Sequence, residues 1–282
     1  MIKPRYRLST TDALAAGASL TLTGNPAHYL TQVLRLKQGD SVALFNRTDG
    51  EWLARITAVR KREVELLLEA NLRPPARSLG LTVAFAPIKG GRLETILEKA
   101  TELGASVLQP VITARTIVDK VNLERADALA REAAEQCERV DWPEIRPPIK
   151  FMNFLGDWPQ DVPLIYGDES GASMPIAELL QSGASSACVG SAEPEGQGSA
   201  SNAREGGASP PSGDKNWAIL AGPEGGFTPE EFAALAHVKS AKGVSLGPRI
   251  LRADTAVITL CVLTLAAWGD WDARPRFTRG ET

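Results

Sequence analysis

The 282-residue chain is poor in the side chains that bind metals and cross-link domains, with 2 histidines and 3 cysteines. Cys137, Cys188 and Cys261 stand at no metal-ligand spacing, and neither His28 nor His237 has the neighbours that a zinc or iron site needs. No metal site is expected. A sparse, odd cysteine count in a chain of this length excludes a disulfide scaffold and points to a reducing compartment, the cytoplasm. The opening residues, MIKPRYRLSTTD, hold no apolar segment of the secretory kind. Long hydrophobic runs are missing as well. The longest uncharged apolar stretch lies between Asp254 and Asp270, and it falls short of the ~20 residues that cross a bilayer. Charge of one sign is also lacking: 31 Lys/Arg stand against 34 Asp/Glu, a net of −3.

That balance is uneven along the chain. Residues 1–75 carry 11 Lys/Arg against 7 Asp/Glu, a net of +4, and the remainder is acidic. A basic front end on an acidic body suits a local nucleic-acid surface. At roughly 100–200 residues per domain the length favours two domains. The division is expected near residue 72, where Arg73-Pro74-Pro75 reads as a stiff linker.

Before that linker the pattern is one of short strands. SVALFN and EWLARITAV flank Arg47-Thr48-Asp49-Gly50, whose Asp-Gly pair signals a hairpin, and VELLLEA follows. NPAHYLTQVLRL reads as a short helix capped by Asn25 and opened by Pro26. A small β-barrel with one helix fits residues 1–72. From Leu79 strands alternate with helices: LTVAFAPI, a helix ending at Gly104, SVLQPVIT, and a helix from Asn122 to about Arg139. After PLIYGDE come WAILAG, a helix from Thr228, GVSLG and a last helix from about Asp254. This alternation predicts an α/β domain with a largely parallel sheet over residues 73–282. Thr228, Pro229 and Glu231 carry the signals of a capping box. One stretch stands apart. Between 181 and 216, 24 of 36 residues are Gly, Ser, Ala or Pro, a composition that cannot bury enough surface to offset its ordering entropy, so a disordered insertion is expected there.

Two strand-to-helix loops carry the strongest chemical signals. Ala221-Gly222-Pro223-Glu224-Gly225-Gly226-Phe227 follows an apolar strand, and its glycines permit a sharp turn and close approach of a ligand. It matches neither the dinucleotide nor the P-loop spacing. A tight turn with no ligand is the plainer reading. Leu246-Gly247-Pro248-Arg249-Ile250-Leu251-Arg252-Ala253-Asp254 places two arginines and an acid in one loop. The guanidinium fork suits phosphate or carboxylate, and the alternative is an internal Arg–Asp pair that merely orders the loop. Lys89-Gly90-Gly91-Arg92 and the polar end Glu135-Gln136 with Arg139 are weaker signals with solvated-surface alternatives. His237 reads as structural.

Together these stretches resemble the RsmE family of SPOUT-class RNA methyltransferases. His28 with Val33-Leu34-Arg35 and Gly39-Asp40 resembles the family's PUA-like RNA-binding barrel. Lys99 to Gly104 is similar to its KxTELG helix, and Glu132 to Gln136 with Arg139 and Pro143 to its EAxEQ element. Gly222 to Gly226 matches its GPEGG loop, and Leu246 to Ala256 its LGxRILRxET loop, with Asp254 in place of the usual Glu. The resemblance implies a SPOUT domain with a trefoil knot behind a PUA-like barrel. It implies S-adenosyl-L-methionine as cofactor, 16S rRNA of the small ribosomal subunit as partner, and a homodimer. The last helix, apolar nearly all round, independently favours a second subunit.

The implied reaction is methylation of uridine N3. It implies catalytic roles for Arg252, Glu224 and Asp254, the carboxylates not being ranked. It implies cofactor contacts at Ala221, Gly222, Gly225, Gly226, Leu246, Gly247, Ile250 and Leu251. RNA contacts fall to Arg5, Arg7, His28, Arg35, Lys37 and Arg249. Two other readings stand beside it: a SPOUT enzyme for another RNA, such as a tRNA ribose 2′-O-methyltransferase, and a non-catalytic RNA-binding ribosome-assembly protein.

Overall fold

A computed structural model describes residues 4–75, 79–184 and 216–271. Cys188 and most of the expected insertion lie outside the described residues. Residues 181–184, expected to belong to that insertion, instead complete helix α5 (Ile176–Ala184). The chain forms two compact units.

The first unit takes in Met1–Ser78 and Asp127–Pro143. Its five strands, β1 (Arg7–Ser9), β2 (Ser19–Thr23), β3 (Ser41–Asn46), β4 (Gly50–Val59) and β5 (Glu63–Arg73), run in the order β1-β3-β4-β5-β2, antiparallel except for β1 on β3. Their inward residues, Leu22, Leu44, Ile56, Val64, Leu66 and Leu68 among them, enclose one core with Leu30. The β3–β4 hairpin forms where the Asp-Gly pair predicts it. Asn46 Oδ1 accepts the amides of Thr48 and Asp49 at 3.0 and 2.6 Å, and Gly50 takes φ +79°. A Cβ at Gly50 would meet the Arg73 carbonyl at 2.2 Å, so only glycine fits there.

The helix of this unit departs from expectation. Helix α1 (Gly24–His28) begins after Thr23, which leaves β2 in extended conformation, and Asn25 lies inside the first turn rather than capping it. It then widens into a π-type turn over Tyr29–Val33, where the Leu34 amide reaches back to Tyr29 O at 3.0 Å. Arg35 follows at φ +56°, a left-handed conformation that is rare outside glycine.

Asp127–Pro143 belongs with this unit, which a division at residue 72 does not anticipate. The cause is a buried charge cluster. The Glu51 carboxylate accepts hydrogen bonds from both Arg7 and Arg73. Arg7 spends its remaining donors on the carbonyls of Ala134, Glu135 and Arg139, at 3.2, 2.9 and 2.6 Å, and its guanidinium lies over the Phe45 ring. Arg73 donates to Glu138 O at 2.9 Å. The Ala134 and Glu135 carbonyls end helix α3 (Leu123–Gln136), and those of Glu138 and Arg139 lie in the turn that follows, so the two arginines bind the carbonyl end of the helix and complement its dipole. In return Glu135 accepts the amide and hydroxyl of Ser9 at 2.8 and 2.9 Å. Arg7 is therefore a buried structural residue, and its expected RNA contact is corrected.

The second unit takes in Leu79–Ala126 and Glu144–Thr282. Strands β6 (Leu81–Phe85), β7 (Val107–Ile112), β8 (Glu144–Ile145), β9 (Ile149–Lys150), β10 (Leu164–Gly167), β11 (Trp217–Ala221) and β12 (Ala241–Val244) all pair in parallel. The path is β12-β10-β11-β6-β7-β8, with β9 also on β7. Strand β11, WAILA, is buried throughout, as a central parallel strand must be. Around the sheet lie α2 (Gly91–Glu102), α4 (Phe151–Gly156), α5, α6 (Pro229–His237) and α7 (Ala253–Trp268). Helix α6 has the expected capping box between Thr228 and Glu231. Helix α7 packs on α2 and strands β6, β10 and β11 through Val257, Leu260, Cys261 and Leu265. Burial pushes the Cys261 thiol up to about 12, which leaves it inert. Among the described residues no helix is long and apolar enough to cross a membrane.

Glu51 generates a pH-dependent prediction. Burial pushes its carboxyl up, but the hydrogen bonds from Arg73 and Arg7 outweigh it and hold the group below its usual range. A depressed carboxylate contributes stability above its unfolded pKa of ~4.3 and loses it as pH falls through the lower folded value. Glu51→Gln is expected to destabilise the protein by about 3–5 kcal/mol at pH 7, because two buried guanidinium groups lose their counter-charge. The deficit narrows as pH falls below about 4. Urea denaturation at the two pH values checks both statements.

Candidate active site

Because every strand of the second unit runs the same way, all the strand-to-helix loops emerge at one end of the sheet. Ligands of parallel α/β sheets bind at that end. The loops after β10 and β12 are stitched there by main-chain hydrogen bonds. The Asp168 amide donates to Val244 O at 2.9 Å, the Ser245 amide to Met174 O at 2.9 Å, and the Ile176 amide to Ser245 O at 3.1 Å. On the other flank the Ala86 amide, just beyond β6, donates to Ala221 O at 3.0 Å.

The loop after β11 is tight. Its turn closes with the Gly226 amide on Pro223 O at 2.9 Å, and Gly226 takes φ +66°. A Cβ at Gly226 would stand 1.8 Å from Glu169 Oε1, and one at Gly222 would press on the Phe227 ring at 3.2 Å. Both positions are fitted to a side chain with no Cβ. Arg115, which follows β7, donates to Gly225 O at 2.6 Å and to Phe227 O at 3.3 Å. Arg92, in the first turn of α2, lies 3.4 Å from the exposed carboxylate of Glu224.

The loop after β12 is different in kind. Gly247 takes φ +103°, with open space where a side chain would be. Ile250 is 87% exposed, a large apolar side chain held out in a loop beside the glycine turn. Among the described residues no hydrogen bond engages the peptide groups of Leu246, Gly247, Ile250 or Leu251. The side chains of Arg249 and Arg252 are exposed and make no ion pair or hydrogen bond among the described residues. The internal Arg–Asp pair that would have made this an ordinary ordered loop is not formed. Asp254, in the first turn of α7, keeps a buried Oδ1 with no partner among the described residues. A buried carboxylate oxygen without a protein partner is uncommon in folded proteins, and it marks this loop as a candidate binding surface.

Behind this surface Asp168 is buried. Burial pushes its carboxyl up, but Ser173, at 2.5 Å, and the amide and hydroxyl of Ser170 outweigh that and keep it below its usual range. Asp168, Glu169 and Arg115 escape detection in the sequence, since no local spacing announces partners on other strands. Lys99, in the KxTELG-like helix, pairs with Glu102 at 2.7 Å on an exposed face, and His237 bonds Ala233 O within its helix.

The first unit carries the other candidate RNA residues. His28, Arg35 and Lys37 are exposed on one segment, together with Tyr29 and Val33, and Arg5 is exposed beside Tyr6.

The profile of the RNA methyltransferase domain matches residues 75–265, more than half the chain, and that of the RNA methyltransferase PUA domain matches residues 22–69. The chain belongs to this family, and within it groups with proteins named ribosomal RNA small subunit methyltransferase E. The protein of that name from Rickettsia conorii is 32% identical over 254 residues, covering 90% of this chain and 92% of its own. That of Synechocystis is 33% identical over 89% of this chain and 74% of its own. Among solved structures, a Legionella pneumophila protein in complex with the bound cofactor SAM superposes with a TM-score of 0.74 at 27% identity, covering 95% of this chain and 99% of its own. A Neisseria gonorrhoeae ribosomal RNA small subunit methyltransferase E bound to S-adenosyl methionine shares the fold, with a TM-score of 0.73 at 24% identity over 94% of this chain and 99% of its own.

The glycine loop generates a prediction. Gly226→Ala is expected to lower stability by at least about 1–2 kcal/mol, from left-handed strain alone and before the contact with Glu169 is counted. Gly91→Ala, at a helix start with open space around it, is the control and is expected to leave stability within about 0.5 kcal/mol. Thermal denaturation of the two variants measures the difference.

Proposed function

We propose that the protein transfers a methyl group from S-adenosyl-L-methionine to N3 of a uridine in 16S rRNA of the small ribosomal subunit. The observation that carries this reading is the loop after β12, where Arg249, Arg252 and the Asp254 oxygen stand without partners beside open peptide groups. Family membership and the names of the relatives supply the substrate class.

The residues present fit S-adenosyl-L-methionine. An adenosine needs apolar surface and main-chain hydrogen-bonding groups, and the exposed Ile250 with the free peptide groups of Leu246, Gly247 and Leu251 offers both. Ala221, Gly222, Gly225 and Gly226 supply the remaining cofactor contacts in this reading. When bound, the cofactor supplies an already activated methyl group on a sulfonium.

What remains for the protein is positioning and the uracil proton. N3–H lies between two carbonyls, and its removal leaves negative charge on the flanking oxygens. Arg252, assisted by Arg249, stabilises that charge. Of the two candidate carboxylates, Asp254 is the proton acceptor in this reading. Its Oδ1 is buried and unpartnered, whereas Glu224 faces Arg92. Arg5, His28, Arg35 and Lys37 contact RNA, and the exposed Tyr29 beside them offers a stacking face. The loops form the trefoil knot of the SPOUT class. The protein acts in the cytoplasm as a homodimer, with the half-buried Ile258 and Val262 and the exposed Ala266 of α7 as its apolar contact.

Arg252→Ala is expected to reduce methyl transfer to unmodified small-subunit RNA by about 10²–10³-fold, with an unchanged melting temperature. Near-normal turnover would remove Arg252 from the reaction. Arg35→Ala and Lys37→Ala are each expected to reduce the slope of log affinity against log salt by about 1, at near-constant stability. A slope unchanged in both variants would place the RNA surface elsewhere.

A further inference from the structure

The glycine loop after β11 has a conformational problem that its own sequence does not solve. Glycines at 222, 225 and 226 allow the turn, but they also allow many others, and holding one conformer costs more entropy in glycine than in any other residue. A loop that presents main-chain groups to a ligand must have its peptide planes fixed beforehand.

Arg115 meets that need. A peptide unit is planar, so a hydrogen bond that holds its carbonyl also sets the direction of the N–H on its other edge. The bond from Arg115 to Gly225 O, at 2.6 Å, fixes the Gly225–Gly226 plane, whose amide points to Pro223 O. The bond to Phe227 O, at 3.3 Å, fixes the Phe227–Thr228 plane, whose amide Glu231 Oε2 receives at 2.8 Å. One guanidinium therefore holds the plane that leads into the left-handed Gly226 and the plane that leaves Phe227.

Arg115 is itself held. Thr113 and Thr116 close a turn around it, with the Thr113 amide on Thr116 Oγ1 at 2.9 Å. Glu231 Oε1 accepts the neighbouring Ala114 amide at 2.8 Å, so the carboxylate that caps α6 also anchors the turn carrying Arg115. The side chain reaches from the end of β7, past the end of β6, to the loop of β11. A Cβ at Gly225 would meet Arg115 Cδ at 3.3 Å, so the absent side chain at Gly225 makes room for the arginine stem. Arg115 is exposed and has no carboxylate within ion-pair distance among the described residues. Its hydrogen bonds go to two loop carbonyls, an unusual use of a surface arginine.

We infer that Arg115 is a positioning residue for the cofactor site: it sets the glycine loop in the conformation that receives S-adenosyl-L-methionine. The inference rests on the cofactor reading of that loop. A merely structural arginine would change stability; a positioning one changes cofactor affinity and leaves the chemical step intact.

The test is calorimetric titration of S-adenosyl-L-methionine into the full-length protein and its Arg115→Ala and Arg115→Lys variants, with methyl-transfer kinetics alongside. Arg115→Ala is expected to weaken cofactor binding by at least about tenfold, the scale of one charge-assisted hydrogen bond, and to raise the cofactor KM in parallel. kcat at saturating cofactor and RNA affinity stay within about threefold, and Arg115→Lys, with one donor direction restored, falls between. Cofactor affinity within about twofold of wild type in Arg115→Ala would overturn the inference, as would a loss of kcat at unchanged affinity. If Arg115→Ala does not fold, Arg115→Lys decides by the same criterion. If the wild-type protein binds no cofactor, the reading of the site fails first. If it binds and the variants bind equally, the inference alone fails.

Discussion

The parallel direction of all seven described strands in the second unit is the constraint on which the rest of the molecule depends. It sends each strand-to-helix loop to the same end of the sheet, so segments from β6, β7, β10, β11 and β12 meet there without any long excursion. The order β12-β10-β11 sets the loop after β10 against the one after β12, and three main-chain hydrogen bonds fasten them. On such a frame loops can remain glycine-rich and leave their own groups unsatisfied. The buried strands and the apolar side of α7 supply the stability that those loops forgo.

The division of labour inside the site follows from that frame. The loop after β11 is held from outside by Arg92, Arg115 and Glu231, and its freedom is spent before any ligand arrives. The loop after β12 keeps its cations and peptide groups open. A loop whose conformation is set beforehand lets binding energy go into orienting reactants rather than ordering protein.

Much of this was legible in the residues, and the reason is locality. The Asp49-Gly50 hairpin, the Thr228 capping box and the alternation of strands with helices are each written within about ten consecutive residues, the range over which turn and cap chemistry acts. The two loops were readable for the same reason. The failures are nonlocal. Nothing near Arg7 announces that its partners are Glu51 and carbonyls beyond residue 130, so an exposed phosphate-binding arginine was the natural but mistaken expectation. The membership of Asp127–Pro143 in the first unit was hidden by the same contacts. Asn25 failed as a cap because the chain leaves β2 through Gly24, and that turn is set by the strand pairing rather than by the asparagine. Arg115 sits in a sequence with no distinguishing pattern, and its significance appears only when β7 and β11 are two places apart in the sheet.

The central claim is the reaction, and nucleoside mass spectrometry tests it most directly. Small-subunit ribosomal RNA from cells lacking the enzyme, free or in assembled subunits, would be incubated with the purified protein and S-adenosyl-L-methionine, then digested to nucleosides. The account predicts new 3-methyluridine that depends on both protein and cofactor. A different methylated nucleoside, or none despite measurable cofactor binding, would contradict it.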